Sequence, residues 1–90
     1  MHYSELLKSA IINADLSLAQ ISRRLKRIGF KADKGYLSKL QNGKTAPAGD
    51  RLNEGLALIL NVDPLELKAA AYREKIPTEV LQKLRETYSA

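Results

Sequence analysis

The chain has 90 residues, 44% of them apolar, with no cysteine and a formal net charge of +5. That length supports one modest hydrophobic core and excludes two independent ones, while the apolar content excludes a disordered chain. The lack of cysteine excludes disulfides and thiolate metal sites, and no apolar run approaches the ~20 residues that span a bilayer.

The pattern is helical almost throughout. Tyr3, Leu6, Leu7, Ala10, Ile11 and Ala14 recur at i, i+3, i+4, i+7 and i+8, the signature of one face of a first helix. Asn13-Ala14-Asp15 breaks it. Ser17 opens a second helix, and Gln20, three residues on, completes a capping box. Its apolar stripe is Leu18, Ile21, Leu25 and Ile28, with Gly29 as the stop and Phe30 expected to plug the core beneath the turn.

Asp33 to Lys44 reads as a short third helix. Asp33 is placed to accept hydrogen bonds from the free N–H groups of the first turn, and Gly43 sits where helices commonly end in the left-handed conformation. Leu37, Leu40 and, in part, Tyr36 form one narrow apolar stripe. Lys34, Ser38, Lys39 and Gln41 are left to point away from it.

Lys44 to Gly49 is a loop by composition. Asp50 is expected to cap a fourth helix bearing Leu52, Leu56, Ile59 and Leu60. Gly55 inside that helix costs roughly 1 kcal/mol against alanine and suggests close approach of a neighbouring helix. Asn61-Val62 ends it. Asp63-Pro64 starts a fifth helix, with a cap followed by proline at the first helical position. Leu65, Ala69 and Tyr72, with Leu67 and Ala70 near them, suggest one packed side. A last helix from about Pro77 or Thr78 presents Val80, Leu81, Leu84 and Tyr88. No alternation suggests a strand.

The charge is unevenly placed. From Gln20 to Arg51 stand Arg23, Arg24, Lys26, Arg27, Lys31, Lys34, Lys39, Lys44 and Arg51, opposed only by Asp33 and Asp50. The rest of the chain holds six basic and eight acidic residues, so all the positive excess lies in the middle third. Such concentration is the electrostatic footprint of a nucleic-acid binder. A short helix anchored by two leucines and offering lysines outward suits the major groove of DNA.

The run from Ser17 to Leu67 resembles the Cro and phage-repressor type of helix-turn-helix domain, the XRE family. The resemblance rests on Ser17-x-x-x-Ile21-Ser22, on Gly29-Phe30, on Tyr36-Leu37-Ser38-Lys39-Leu40-Gln41-Asn42-Gly43-Lys44, on Pro47, and on Leu60-Asn61-Val62-Asp63-Pro64-Leu65-Glu66-Leu67. It implies an all-α, five-helix lambda-repressor-like domain over residues 1–75, with the helix-turn-helix unit at about 17–43. Residues 76–90 then form an additional C-terminal helix. Three departures stand out. The turn from Lys26 to Asp33 is longer than in the commonest members, Leu18 stands where glutamine is frequent, and Gly35 occupies an early position of the recognition helix.

By position, the resemblance implies that Lys34, Gly35, Ser38 and Lys39 face the bases, with Gly35 bringing the backbone close. It implies that Arg23, Arg24, Asn42, Lys44 and Thr45 contact phosphate. Lysine can donate to guanine O6 and N7 and serine can serve several bases, whereas side-chain amides and hydroxyls bind phosphate without reading sequence. The helix of Arg23, Arg24, Lys26 and Arg27 turns about 100° per residue, so these side chains cannot all face one duplex.

The expected function is a sequence-specific double-stranded DNA-binding transcriptional regulator of the repressor type. The alternative is a protein-interaction module, an antitoxin-like or anti-repressor partner using the same fold. RNA binding ranks lower, because no aromatic pair is placed for base stacking. His2 stands alone, the carboxylates show no acid–base arrangement, and no phosphate loop or nucleophile motif occurs, so no enzyme activity, metal, cofactor or small-molecule ligand is expected. The tail helix either caps the domain's own core or forms a dimer contact. The latter reading, a homodimer, is preferred, because those apolar residues lie beyond the shared domain. Met1 to Glu5 shows no basic region followed by an apolar block, so no signal peptide, no membrane association and a cytoplasmic location are expected.

Overall fold

The computed structural model describes residues 2–88, with side chains through residue 87; the Tyr88 side chain, an expected member of the last apolar stripe, lies outside the described residues. The described chain is all-helical: α1 (Tyr3–Ala14), α2 (Leu18–Arg27), α3 (Lys34–Gln41), α4 (Asp50–Leu60), α5 (Pro64–Lys75) and α6 (Thr78–Tyr88). No helix is long and apolar enough to cross a membrane.

Local chemistry sets most of the boundaries. Ser17 Oγ accepts the Gln20 N–H at 3.1 Å while Gln20 Oε1 accepts the Ser17 N–H at 2.8 Å, so two orphan donors at the start of α2 are satisfied reciprocally. The helix ends on Gly29, at φ +94°, with Phe30 N–H donating to Leu25 O and Gly29 N–H to Lys26 O. α3 repeats the device. Asp33 Oδ1 accepts the Tyr36 N–H at 2.7 Å, and at the other end Gly43, at φ +69°, lets Lys44 N–H reach Lys39 O at 2.9 Å. A left-handed residue after the last turn satisfies carbonyls that the helix leaves free, and glycine adopts it without steric cost. Asp63 Oδ1 accepts from Leu65 N–H, with Pro64 at the first helical position of α5.

The core is built from Leu7, Ile21, Leu25, Leu37, Leu40, Leu56 and Leu67, all fully buried, with contributions from α1 to α5. Phe30 does pack against it from the turn between α2 and α3. Gly55 makes that possible: a Cβ there would meet Phe30 Cε2 at 2.8 Å and Leu25 Cδ2 at 3.4 Å. The notch receives the Phe30 ring and lets α2, through Leu25, lie close to α4.

One buried polar cluster ties distant segments together. Tyr3 Oη donates to Asn53 Oδ1 at 2.5 Å, and Asn53 Nδ2 donates to Ala48 O at 2.8 Å. The Tyr3 N–H, a free donor at the start of α1, is taken by Glu74 Oε1 from α5 at 2.9 Å. Tyr3 therefore joins α1, α4, α5 and the loop after α3. Burial pushes its hydroxyl well above the ordinary tyrosine range, only partly offset by a hydrogen bond from the Ala48 backbone.

Four expectations need correcting. Asp50 is the first residue of α4 and Gly49 its cap, without a side-chain hydrogen bond. α1 continues through Ala14 and stops at Asp15, at φ 56°. Ile28 is exposed rather than part of the α2 stripe, because it is the cap residue at which the helix has already turned off. On α5 the packed side is Leu67, Ala70 and Ala71, while Leu65, Ala69 and Tyr72 face outward. Two alanines allow α5 to lie close against its neighbours, which Leu65 and Tyr72 would prevent.

Tyr72 Oη donates to Asp50 Oδ2 at 2.8 Å, and Lys68 pairs with Glu54, so antiparallel α4 and α5 form successive rungs. Each of these bonds raises the pKa of its donor. Helical spacing places Leu58 and Leu65 at the next rung, 72% and 69% exposed. α6 touches the rest only sparsely. It draws the molecule out to 44 × 23 × 22 Å.

Tyr3→Phe should cost about 1–3 kcal/mol near neutral pH, because Asn53 Oδ1 keeps its burial and loses its donor. The raised folded-state pKa also fixes a sign. Its contribution is complete below the unfolded tyrosine value of about 10 and disappears as pH rises from there through the folded value. Denaturant titrations across pH 7–11 should show a steeper alkaline loss of stability in the wild type than in Tyr3→Phe; parallel curves would contradict the assignment.

Candidate nucleic-acid interface

The stripe that buries α3 also fixes what it exposes. Leu37 and Leu40 are buried and Tyr36 is half-buried against the core. At about 100° per residue, Gly35, Ser38 and Lys39 lie on the opposite side, with Lys34 at its edge. Lys34, Gly35 and Lys39 are exposed and Ser38 half-buried, so the four residues expected to face bases share one outward surface. Gly35 is open: a Cβ there would meet only Asp33 Oδ1, at 3.4 Å, an ordinary contact. Its missing side chain leaves bare backbone at the centre of that surface.

The end of α3 is more constrained. Asn42 Nδ2 donates to Ser38 O at 2.8 Å and lies 3.4 Å from Ser38 Oγ, while Asn42 Oδ1 accepts from Lys8 Nζ at 3.3 Å. The Asn42 amide is thus spent within the protein, holding the helix end and bringing an α1 ammonium beside it. Lys44 and Thr45 are exposed just beyond. The Lys44 N–H is used by the helix cap, so this residue offers its ammonium and not its backbone donor.

Arg23 and Arg24 are exposed and line a shallow trough on α2 with Gln20 and Arg27. Ser22 and Lys26 border a different hollow, of about 310 Å³, with Phe30, Lys31 and Asp33 at the start of α3. Lys26 and Lys31 thus share this hollow with Asp33, the residue that caps α3. Lys8 was missed altogether. It lies outside the basic segment, and no local pattern links it to a residue thirty-four positions away.

The electrostatics separate this region from the rest. Among the described residues Lys68 pairs with Glu54 and Lys83 with Glu86, and His2 Nδ1 lies 3.8 Å from Glu74 Oε1. Among the described residues none of the nine cations from Arg23 to Arg51 takes part in one. A crowded set of unpaired cations attracts a polyanion and repels itself. Among the described residues there is also no group of three or more metal-ligating side chains. The comparisons return nothing: no family model, no curated protein and no solved structure matches the chain.

Self-repulsion within this region has a measurable cost. Raising NaCl from about 10 mM to about 0.5 M shortens the screening length several-fold, so the thermal midpoint should climb by a few degrees in calorimetry. A midpoint that falls with added salt would mean that the paired charges elsewhere outweigh the unpaired ones.

Proposed function

We propose that the protein is a sequence-specific double-stranded DNA-binding transcriptional regulator, probing the major groove with α3 and acting as a repressor by occupying its operator. The α2–turn–α3 pair serves as the helix-turn-helix unit of a lambda-repressor-like domain, in keeping with the XRE-type resemblance. The observation that carries this reading is the outward surface of α3, where Lys34, Gly35, Ser38 and Lys39 stand together amid cations that have no acidic partner within the protein. Lys39 and Lys34 donate to base edges, Ser38 adds an adaptable hydroxyl, and the backbone at Gly35 sits close to the groove floor. Arg23, Arg24, Lys44 and Thr45 hold phosphates, while Asn42 fixes the helix end that presents them.

A homodimer belongs to the same reading. α6 leaves Val80 46% and Leu84 42% exposed on one side, and a two-fold pair doubles a phosphate interface too small for tight binding at physiological salt. One observation favours the rival reading, a protein-interaction module: Leu58 and Leu65 form an exposed apolar pair on the α4–α5 seam.

Affinity for duplex DNA should fall with salt at a log–log slope of about −0.9 per neutralised phosphate. Lys39→Ala should flatten the preference between a selected operator and random duplex, whereas Lys44→Ala should weaken both alike and shrink the slope by about one unit. Binding that ignores salt, or a preference untouched by Lys39→Ala, would remove the assignment of the reading face. Sedimentation equilibrium should give a dimer that Leu84→Glu converts to monomer with the helical circular dichroism retained. A wild-type monomer at every concentration would rule out the two-fold arrangement.

A further inference from the structure

Away from the α2–α3 surface, a cleft of about 580 Å³ lies where the start of α1, the turn after α3, the end of α5 and α6 come together. Its size lies within the range of small-molecule sites. Its lining has a definite chemical division. Ala70, Ile76 and Leu81 supply an apolar wall. Ser4, Thr45 and Thr78 supply hydroxyls, and Arg73 and Arg85 supply positive charge.

The acid in the cleft is Glu74, and it is already engaged. Its Oε1 accepts the Tyr3 N–H at 2.9 Å and lies 3.8 Å from His2 Nδ1. The guanidinium of Arg73, next to it in the chain, forms no hydrogen bond or ion pair among the described residues. The cleft thus offers a guanidinium without a counter-ion beside an apolar wall. The ring in the lining is His2, whose side chain is 80% exposed beside Glu74, so a nucleobase would find no enclosed stacking surface, and one engaged carboxylate is a poor cation site. Guanidinium groups bind carboxylates with two parallel hydrogen bonds, and hydroxyls can take up the remaining lone pairs.

We infer that this cleft binds a small amphiphilic carboxylate, its acid group on Arg73 and its hydrocarbon part against Ala70, Ile76 and Leu81. The bound molecule touches Gly43 and Thr45, on the turn that ends α3. The inference stands without the DNA-binding reading, since the cleft and its ligand chemistry do not depend on what α3 contacts.

Sodium octanoate serves as the probe, titrated into the full ¹⁵N-labelled chain without DNA, with n-octanol and inorganic phosphate as comparisons. Octanoate should saturate a single site and shift the amides of Ser4, Thr45, Thr78 and Leu81. Octanol and phosphate should each bind roughly tenfold more weakly, because each lacks one half of the chemistry. Arg73→Gln should weaken octanoate to the level of octanol, whereas Arg51→Gln, which removes the same charge outside the cleft, should leave it unchanged. The proposal is overturned by octanoate shifts that fall elsewhere or do not saturate. Equal binding of octanol or phosphate, or an Arg73→Gln variant that binds like the wild type, overturns it as well.

Discussion

The hydrogen bonds of one residue tie α1, α4, α5 and the loop after α3 to one another. Tyr3 offers its hydroxyl to Asn53 and its backbone N–H to Glu74, and Asn53 in turn holds the carbonyl of Ala48. Asn53 is the buried polar side chain among the described residues, so the alternative to these bonds is an unsatisfied amide in the core. Apolar packing alone tolerates small slides of one helix on another. A buried polar group with a single matching partner does not, because each wrong register leaves it unpaired. The loop from Lys44 to Gly49 has no ladder of its own. It is located by the capture of Ala48, and with it the end of α3.

Much of the architecture was legible because it is written in short-range signals. Ser17 with Gln20, Asp33, Gly29, Gly43 and Asp63-Pro64 each act within a few residues, and each does in the structure what its chemistry suggests. The errors arise where the decision is made at a distance. Leu65, Ala69 and Tyr72 recur at helical spacing as well as Leu67 and Ala70 do, and only the need of α5 for close approach selects the alanine side. Asp50 and Gly49 are both acceptable helix starters, and backbone geometry chose the glycine. The outward face of α3 could be read from its two leucines. The lysine of α1 beside Asn42 could not, nor could the Tyr3–Asn53 bond, since both join residues more than thirty positions apart.

Charge is distributed by the fold as well as by the sequence. The ion pairs at Lys68 and Glu54 and at Lys83 and Glu86 neutralise the α4–α5 seam and α6, and Tyr72 satisfies Asp50. Asp33 directs an oxygen to the N–H of Tyr36, so one of the two acids in the basic segment is occupied in starting a helix. Asp50 is occupied in the same way by Tyr72. The cations of α2, α3 and the following turn are thereby left with no neutralising group of their own. Exposed ion pairs contribute little to stability, so the consequence of this segregation is an electric field over one side of the molecule rather than a firmer fold.

The Asp33 cap and the Gly43 stop fix α3 at eight residues, a rod of about 12 Å at 1.5 Å per residue. If that rod lies along a duplex whose steps rise about 3.4 Å, it spans roughly four base pairs. An address that short recurs by chance every few hundred base pairs. The information needed to single out one locus in a chromosome must then come from outside the rod, through a second copy at a fixed spacing or through the bendability of the intervening helix. Shortening a reading element between two hard stops trades vocabulary for rigidity, and makes the grammar of spacing carry the message.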